Sequence, residues 1–155
     1  MELPPLLKLD SVQEYKQHYE RHYLRGKIIT FDGIRVYFRP QTFGHAFYKN
    51  SKGVSGDKDA FAPERAERMD WVKATLESAE AEIFMGWIKA TKTYDENRRV
   101  SVIFEGFVVV IELSLTRKGE LKGNFITCYL ADNSIDRIRK SPEWDYEKCI
   151  EKLKK

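Results

Sequence analysis

Cysteine is nearly absent from this sequence, which has only Cys128 and Cys149 among 155 residues. Two thiols make no disulfide framework, and with no C-x-x-C pair they lack the spacing of a zinc site, so both are expected as free thiols. Long apolar runs are missing as well. No stretch approaches the ~20 residues that span a bilayer, and the opening MELPPLLKLD lacks the basic n-region and apolar h-region of an export signal. A cytoplasmic protein with no membrane partner is the expectation. Internal repeats and low-complexity tracts are also absent, which leaves no sign of a solenoid or of a second domain. Charge of one sign is scarce too. Lys and Arg number 27 against 24 Asp and Glu, and the net of +3 divides as +3 over residues 1–50, −1 over 51–100 and +1 over 101–155. Such a balance excludes a polybasic tail; it permits a nucleic-acid partner without requiring one.

What remains is an ordinary globular composition, 42% hydrophobic and 33% charged, in a chain long enough to bury a core without staples. We read one α+β domain over 1–155, with an N-terminal helix and hairpin in 1–40, a core in 41–144 and a C-terminal helix in 145–155. Asp10 or Ser11 can cap a helix that carries Val12, Tyr15, Tyr19, Tyr23 and Leu24 at helical spacing to Gly26. Ile28–Phe31 and Ile34–Phe38 flank Asp32-Gly33, a favoured hairpin turn. Phe43–Tyr48 reads as extended chain and 50–59 as a mobile surface loop. Pro63 opens a helix to about Glu77. The segment Ile83–Tyr94 is ambiguous and Asp95-Glu96-Asn97 reads as a turn. Arg99–Phe104, Phe107–Leu115 and Leu121–Leu130 read as a three-stranded meander at the sheet centre. A short helix from Asn133 or Ser134 to Lys140 and a terminal helix from Tyr146 complete the chain. The fold class expected is a single antiparallel β-sheet with helices packed on one side.

Several residues stand out. On the helix after Pro63, 100° per residue places Arg65 on the stripe of Ala62, Met69, Val72 and Leu76, and a guanidinium there needs a carboxylate, carbonyls, an anion or an opening onto a cleft. Arg68 flanks that stripe, and Glu112 is a candidate partner for Arg65. His18 and His22 are four residues apart, but no further metal ligands accompany them, so they read as surface or aromatic-packed side chains and no metal is expected. Alternation puts His45 on one strand face with two phenylalanines, where it is a core residue or the chain's best acid–base group. In the last strand, Ile126, Cys128 and Leu130 should share the apolar face, with Phe125, Thr127 and Tyr129 opposite.

Three blocks together resemble a known family. FGHAFYK contains His45; RAERMDWVKATLESAEAEIF contains Arg65, Arg68, Trp71 and Leu76; GNFITCYLADN is followed by IRKSPEW. In this order, between His45 and Trp144, they are similar to the phage-associated nuclease domains grouped with barnase, EndoU, colicin and RelE ribonucleases (PBECR). Cys128 stands at the small position between Thr127 and Tyr129, and the first 40 residues lie outside the resemblance.

The resemblance implies an RNase-like (BECR) fold with a cleft on the sheet face opposite the helices. It also implies cofactor-free, metal-independent RNA cleavage, in which the ribose 2′-hydroxyl attacks the adjacent phosphorus. His45 would act as base or acid, Arg65 would bind phosphoryl oxygens, and Thr127 and Tyr129 would orient the phosphate or share proton transfer. Arg68, Lys49 and Lys122 complete the expected substrate-binding set. Expected partners are RNA and, for an active toxin, a cognate inhibitor protein. A noncatalytic RNA- or protein-binding module that keeps the fold is the alternative, and a structural phage accessory protein with Arg65 paired in its core is a third.

Overall fold

A computed structural model describes residues 2–50, 60–104 and 106–155. Helix α1 (Val12–Tyr19) starts at Ser11, whose Oγ accepts from the Glu14 amide, and passes into a π-type turn over Glu20–Leu24. The three buried tyrosines of this segment fix it to the rest of the chain. Their hydroxyls donate to the carbonyls of Leu7, Arg39 and Met69, which satisfies polar groups that burial would otherwise penalise. Strands β1 (Ile28–Ile29) and β2 (Arg35–Tyr37) form the expected hairpin, and Gly33 supplies the positive φ of 87° that its turn needs.

The chain then departs from expectation. Of the expected extended run Phe43–Tyr48, only Tyr48 is in a strand. Pro40 starts a 3₁₀ turn over Pro40–Thr42 that continues into α2 (Phe43–Ala46), with Phe43, Ala46 and Phe47 turned into the core and His45 exposed. Three apolar residues at i, i+3 and i+4 fit a helical turn as well as alternation fits a strand, and the proline decides between them. Strands β3 (Tyr48–Lys49) and β4 (Ala60–Phe61) make a separate two-stranded sheet. The loop expected at 50–59 lies, apart from Asn50, outside the described residues.

The helix after Pro63 is broken into α3 (Pro63–Ala66) and α4 (Met69–Glu77), with Arg68 at the junction in a nonhelical conformation (φ −103°, ψ 18°). The break moves Arg65 off the apolar stripe. Ala66 takes its place beside Met69, Val72 and Leu76, and Arg65 is only half-buried.

Strands β5 (Glu82–Ile88), β6 (Thr93–Ile103), β7 (Phe107–Leu115) and β8 (Leu121–Leu130) follow, then α5 (Ile135–Arg139) and α6 (Tyr146–Lys154). The six-stranded sheet has the order β1-β2-β8-β7-β6-β5. It is mostly antiparallel but mixed, since β2 runs parallel to β8. Expectation of a single antiparallel sheet fails because β1, β2 and the crossover through α2–α4 bring the N-terminal hairpin in from the far edge. Two faces result. One carries Phe107, Val109, Ile111, Phe125 and Cys128 against α1, α2, α4 and α6; the other carries Phe84, Val100, Val102, Val108 and Val110, with Ile135 and Ile138 of α5 packed on it. Helices therefore cover both faces, not one. Among the described residues no helix is long and apolar enough to cross a membrane.

Two irregularities in the strands shape the second face. In β8, Val110 pairs with Thr127 while Ile111 pairs with Phe125, so Ile126 is an extra residue, a β-bulge. Phe125 joins Cys128 in the core and Ile126 sits with Thr127 and Tyr129, against the simple alternation expected. In β6, Met85 pairs with Arg99 but Gly86 with Asp95, so the expected turn at Asp95-Glu96-Asn97 is instead a bulged excursion within one strand.

Candidate active site

The second face of the sheet holds a cleft of about 910 Å³, bounded by β5 to β8 and α5. His45 lines it from α2, and Thr127 and Tyr129 line it from β8, placed there by the Ile126 bulge. Val100, Val110, Ile126 and Ile138 supply apolar wall. Around this wall stand three basic side chains, Lys89, Arg98 and Arg137, and among the described residues no Asp or Glu lines the cleft. An anionic ligand suits such a lining.

Arg98 owes its position to Gly86. A Cβ at Gly86 would sit 2.3 Å from Arg98 Cγ, so only glycine lets the arginine stem lie across β5. Its Nη2 donates to Glu112 Oε2 at 3.0 Å, and its buried Nε has no partner among the described residues. Glu112 is thus the partner of Arg98, not of Arg65. Burial raises the Tyr129 phenol above its ordinary pKa and the nearby Arg65 charge offsets part of that, so the hydroxyl is a proton donor at neutral pH. Ser141 Oγ donates to the Tyr94 hydroxyl, 3.4 Å away, joining the segment after α5 to β6.

Arg65 does not line the cleft. Its Nη1 donates to the Tyr48 carbonyl at 3.2 Å, with the Ala46 carbonyl at 3.5 Å, so it ties together the backbone just after His45. The expected substrate-binding residues lie elsewhere too. Arg68 donates to the Glu64 carbonyl and to Glu67 and stacks on Trp71, 5.1 Å from the ring centroid. Lys49 pairs with Glu64 at 3.0 Å, and Lys122 stands opposite Ser114 near the other end of β8. His18 contacts Asp70 at 2.7 Å and its ring lies 4.2 Å from that of His22. Among the described residues no group of three or more His, Cys, Asp or Glu could hold a metal ion.

Five charged or aromatic cleft residues are not singled out by the sequence: Trp87, Lys89, Tyr94, Arg98 and Arg137. A signal exists, since Trp87, Lys89 and Tyr94 interleave aromatic and basic residues within the ambiguous segment Ile83–Tyr94, with Arg98 just beyond it. Compared with protein-family models, with curated proteins and with solved structures, the chain matches none of them.

Proposed function

We propose that this cleft cleaves RNA without a metal, by attack of a ribose 2′-hydroxyl on the adjacent phosphorus. The observation that carries the proposal is the meeting of His45 with Thr127 and Tyr129, distant from it in the chain, in one cleft lined by Lys89, Arg98 and Arg137 and, among the described residues, by no carboxylate, Glu112 reaching only Arg98. In this scheme His45 takes the 2′-hydroxyl proton, the new 2′-O–P bond forms, and the P–O5′ bond breaks to leave a 2′,3′-cyclic phosphate. Tyr129 supplies the proton for the departing 5′-oxygen. Thr127 donates to a phosphoryl oxygen, and Arg98 and Arg137 offset the charge that grows on the phosphorane. Arg65 acts as a positioning residue, through the backbone next to His45.

The test is incubation of the purified protein with mixed cellular RNA in excess chelator, with end-group analysis of the products. Cyclic-phosphate and 5′-hydroxyl ends are expected, with rates about a hundredfold lower for His45→Ala and for Tyr129→Phe. RNA that is bound in a salt-dependent way but left intact would replace cleavage by the noncatalytic binding module. Cleavage indifferent to both substitutions would remove the site.

A further inference from the structure

The indole of Trp87 is 50% exposed on the edge strand β5, yet it is not a stray surface apolar group. It lines the cleft, and its cross-strand partner Tyr94 packs edge-on against it, with ring centroids 5.1 Å apart at 71°. That contact braces the ring without covering it. At Gly86 the Arg98 stem crosses in the space a side chain would take, and Arg98 lines the same cleft as the indole. Lys89, two residues on, adds a second charge.

An open aromatic face in a cleft that also carries cations matches the two recognition elements of a nucleotide in a flexible strand, a base to stack and a phosphate to neutralise. A second copy of this chain is a poorer fit. The outer edge of β5 is already occupied over Ile83–Met85, where the Met85 amide donates to the Pro142 carbonyl and the Trp144 amide to the Ile83 carbonyl. Pairing of two β5 strands edge to edge is blocked there.

We infer that Trp87, braced by Tyr94, is a base-stacking platform that selects single-stranded over double-stranded nucleic acid at the mouth of the cleft. The inference rests on the proposed RNA-cleaving role for its substrate class, but not on turnover. In a duplex the bases are already stacked on each other and the platform has nothing to receive.

A decamer of single-stranded DNA separates the two claims, because it offers bases and phosphates but no 2′-hydroxyl to attack. Its binding to the full chain should quench tryptophan fluorescence. Trp87→Ala should weaken it about five- to a hundredfold while Trp87→Phe retains most of the affinity. The melting temperature of both variants should stay near that of the parent protein, since the ring is half exposed. An abasic decamer, or the same sequence as a duplex, should bind the parent as weakly as the single strand binds Trp87→Ala. Equal affinity of the parent for the abasic strand or the duplex, or unchanged affinity in Trp87→Ala, would overturn the platform even if RNA is cleaved. Base-dependent quenching with no RNA cleavage would overturn the catalytic proposal and leave the platform standing.

Discussion

Arg99, fully buried under the sheet, is held by Asp32 of the hairpin turn through Nη1 contacts of 2.9 and 3.1 Å. Its guanidinium lies 4.8 Å from the Trp144 ring and 5.5 Å from that of Phe31, so aromatic faces cover what the carboxylate does not. Nε and Nη2 have no hydrogen-bond partner among the described residues. Burial pulls the Arg99 pKa down and the Asp32 charge opposes this.

Asp32→Ala should therefore cost about 3 kcal/mol, the lower end for breaking a buried pair, because Asp32 itself keeps 21% of its side chain exposed. The double variant Asp32→Ala/Arg99→Met should recover most of that loss, since the stranded charge is gone. Urea denaturation of the four proteins in the cycle decides it: no recovery in the double variant would mean that the pair is not what holds the turn to the sheet.

Gly86→Ala should destabilise by about 1–3 kcal/mol, because the added methyl meets Arg98 at its stem rather than at its mobile tip. Arg98→Ala in the same chain should relieve the penalty. If Gly86→Ala melts at the parental temperature, the arginine has another route and the close packing is not required.

Asp95 sits in the β6 bulge beside Lys152 of α6. Burial raises its carboxyl, but the Lys152 ammonium and the Asn97 amide outweigh this and hold it below the ordinary 3.8. A carboxyl depressed in the folded state favours folding fully above its unfolded pKa and loses that contribution as pH falls through the folded value. Lys152→Ala should accordingly be less stable than the parent at pH about 6, with the gap narrowing by pH about 3. A gap of equal size at both values, read from denaturant midpoints, would contradict the linkage.

Arg65→Met should lower the RNA cleavage rate about tenfold while leaving affinity for single-stranded DNA within about twofold, because the guanidinium secures the backbone next to His45 and does not line the cleft. Arg65→Lys should recover little, having no planar fork to span two carbonyls. An affinity loss larger than the rate loss would return Arg65 to the phosphate-binding role that the resemblance implies.

The parts of this fold that are legible in the sequence are those where local signals agree. Ser11 caps α1, Asp32-Gly33 turns the hairpin, and the Val- and Ile-rich run of β7 needs no tertiary context. What stays hidden depends on register and on distant partners. The parallel pairing of β2 with β8 is fixed by a crossover no local pattern encodes. The helix over Pro63–Glu77 reads as continuous by periodicity, yet breaks at Arg68, whose side chain closes onto Glu64 and Trp71. In the site, His45, Thr127 and Tyr129 can be named from the chain, although alternation assigns His45 to a strand where the chain forms a helical turn. Trp87, Tyr94 and Arg98 carry only their aromatic and basic interleaving as a signal, and it is masked because a strand that bulges by several residues imitates a turn.

The extra residue at Ile126 has an effect out of proportion to its size. Were Ile126 kept but paired as in a regular strand, every residue after it would turn over, sending the Thr127 hydroxyl and Tyr129 phenol toward α1 and α4 and the Cys128 thiol into the cleft. The bulge thus lets a single ribbon face oil with Phe125 and Cys128 and water with Thr127 and Tyr129, and a one-codon deletion of Ile126 would keep both faces while erasing the kink.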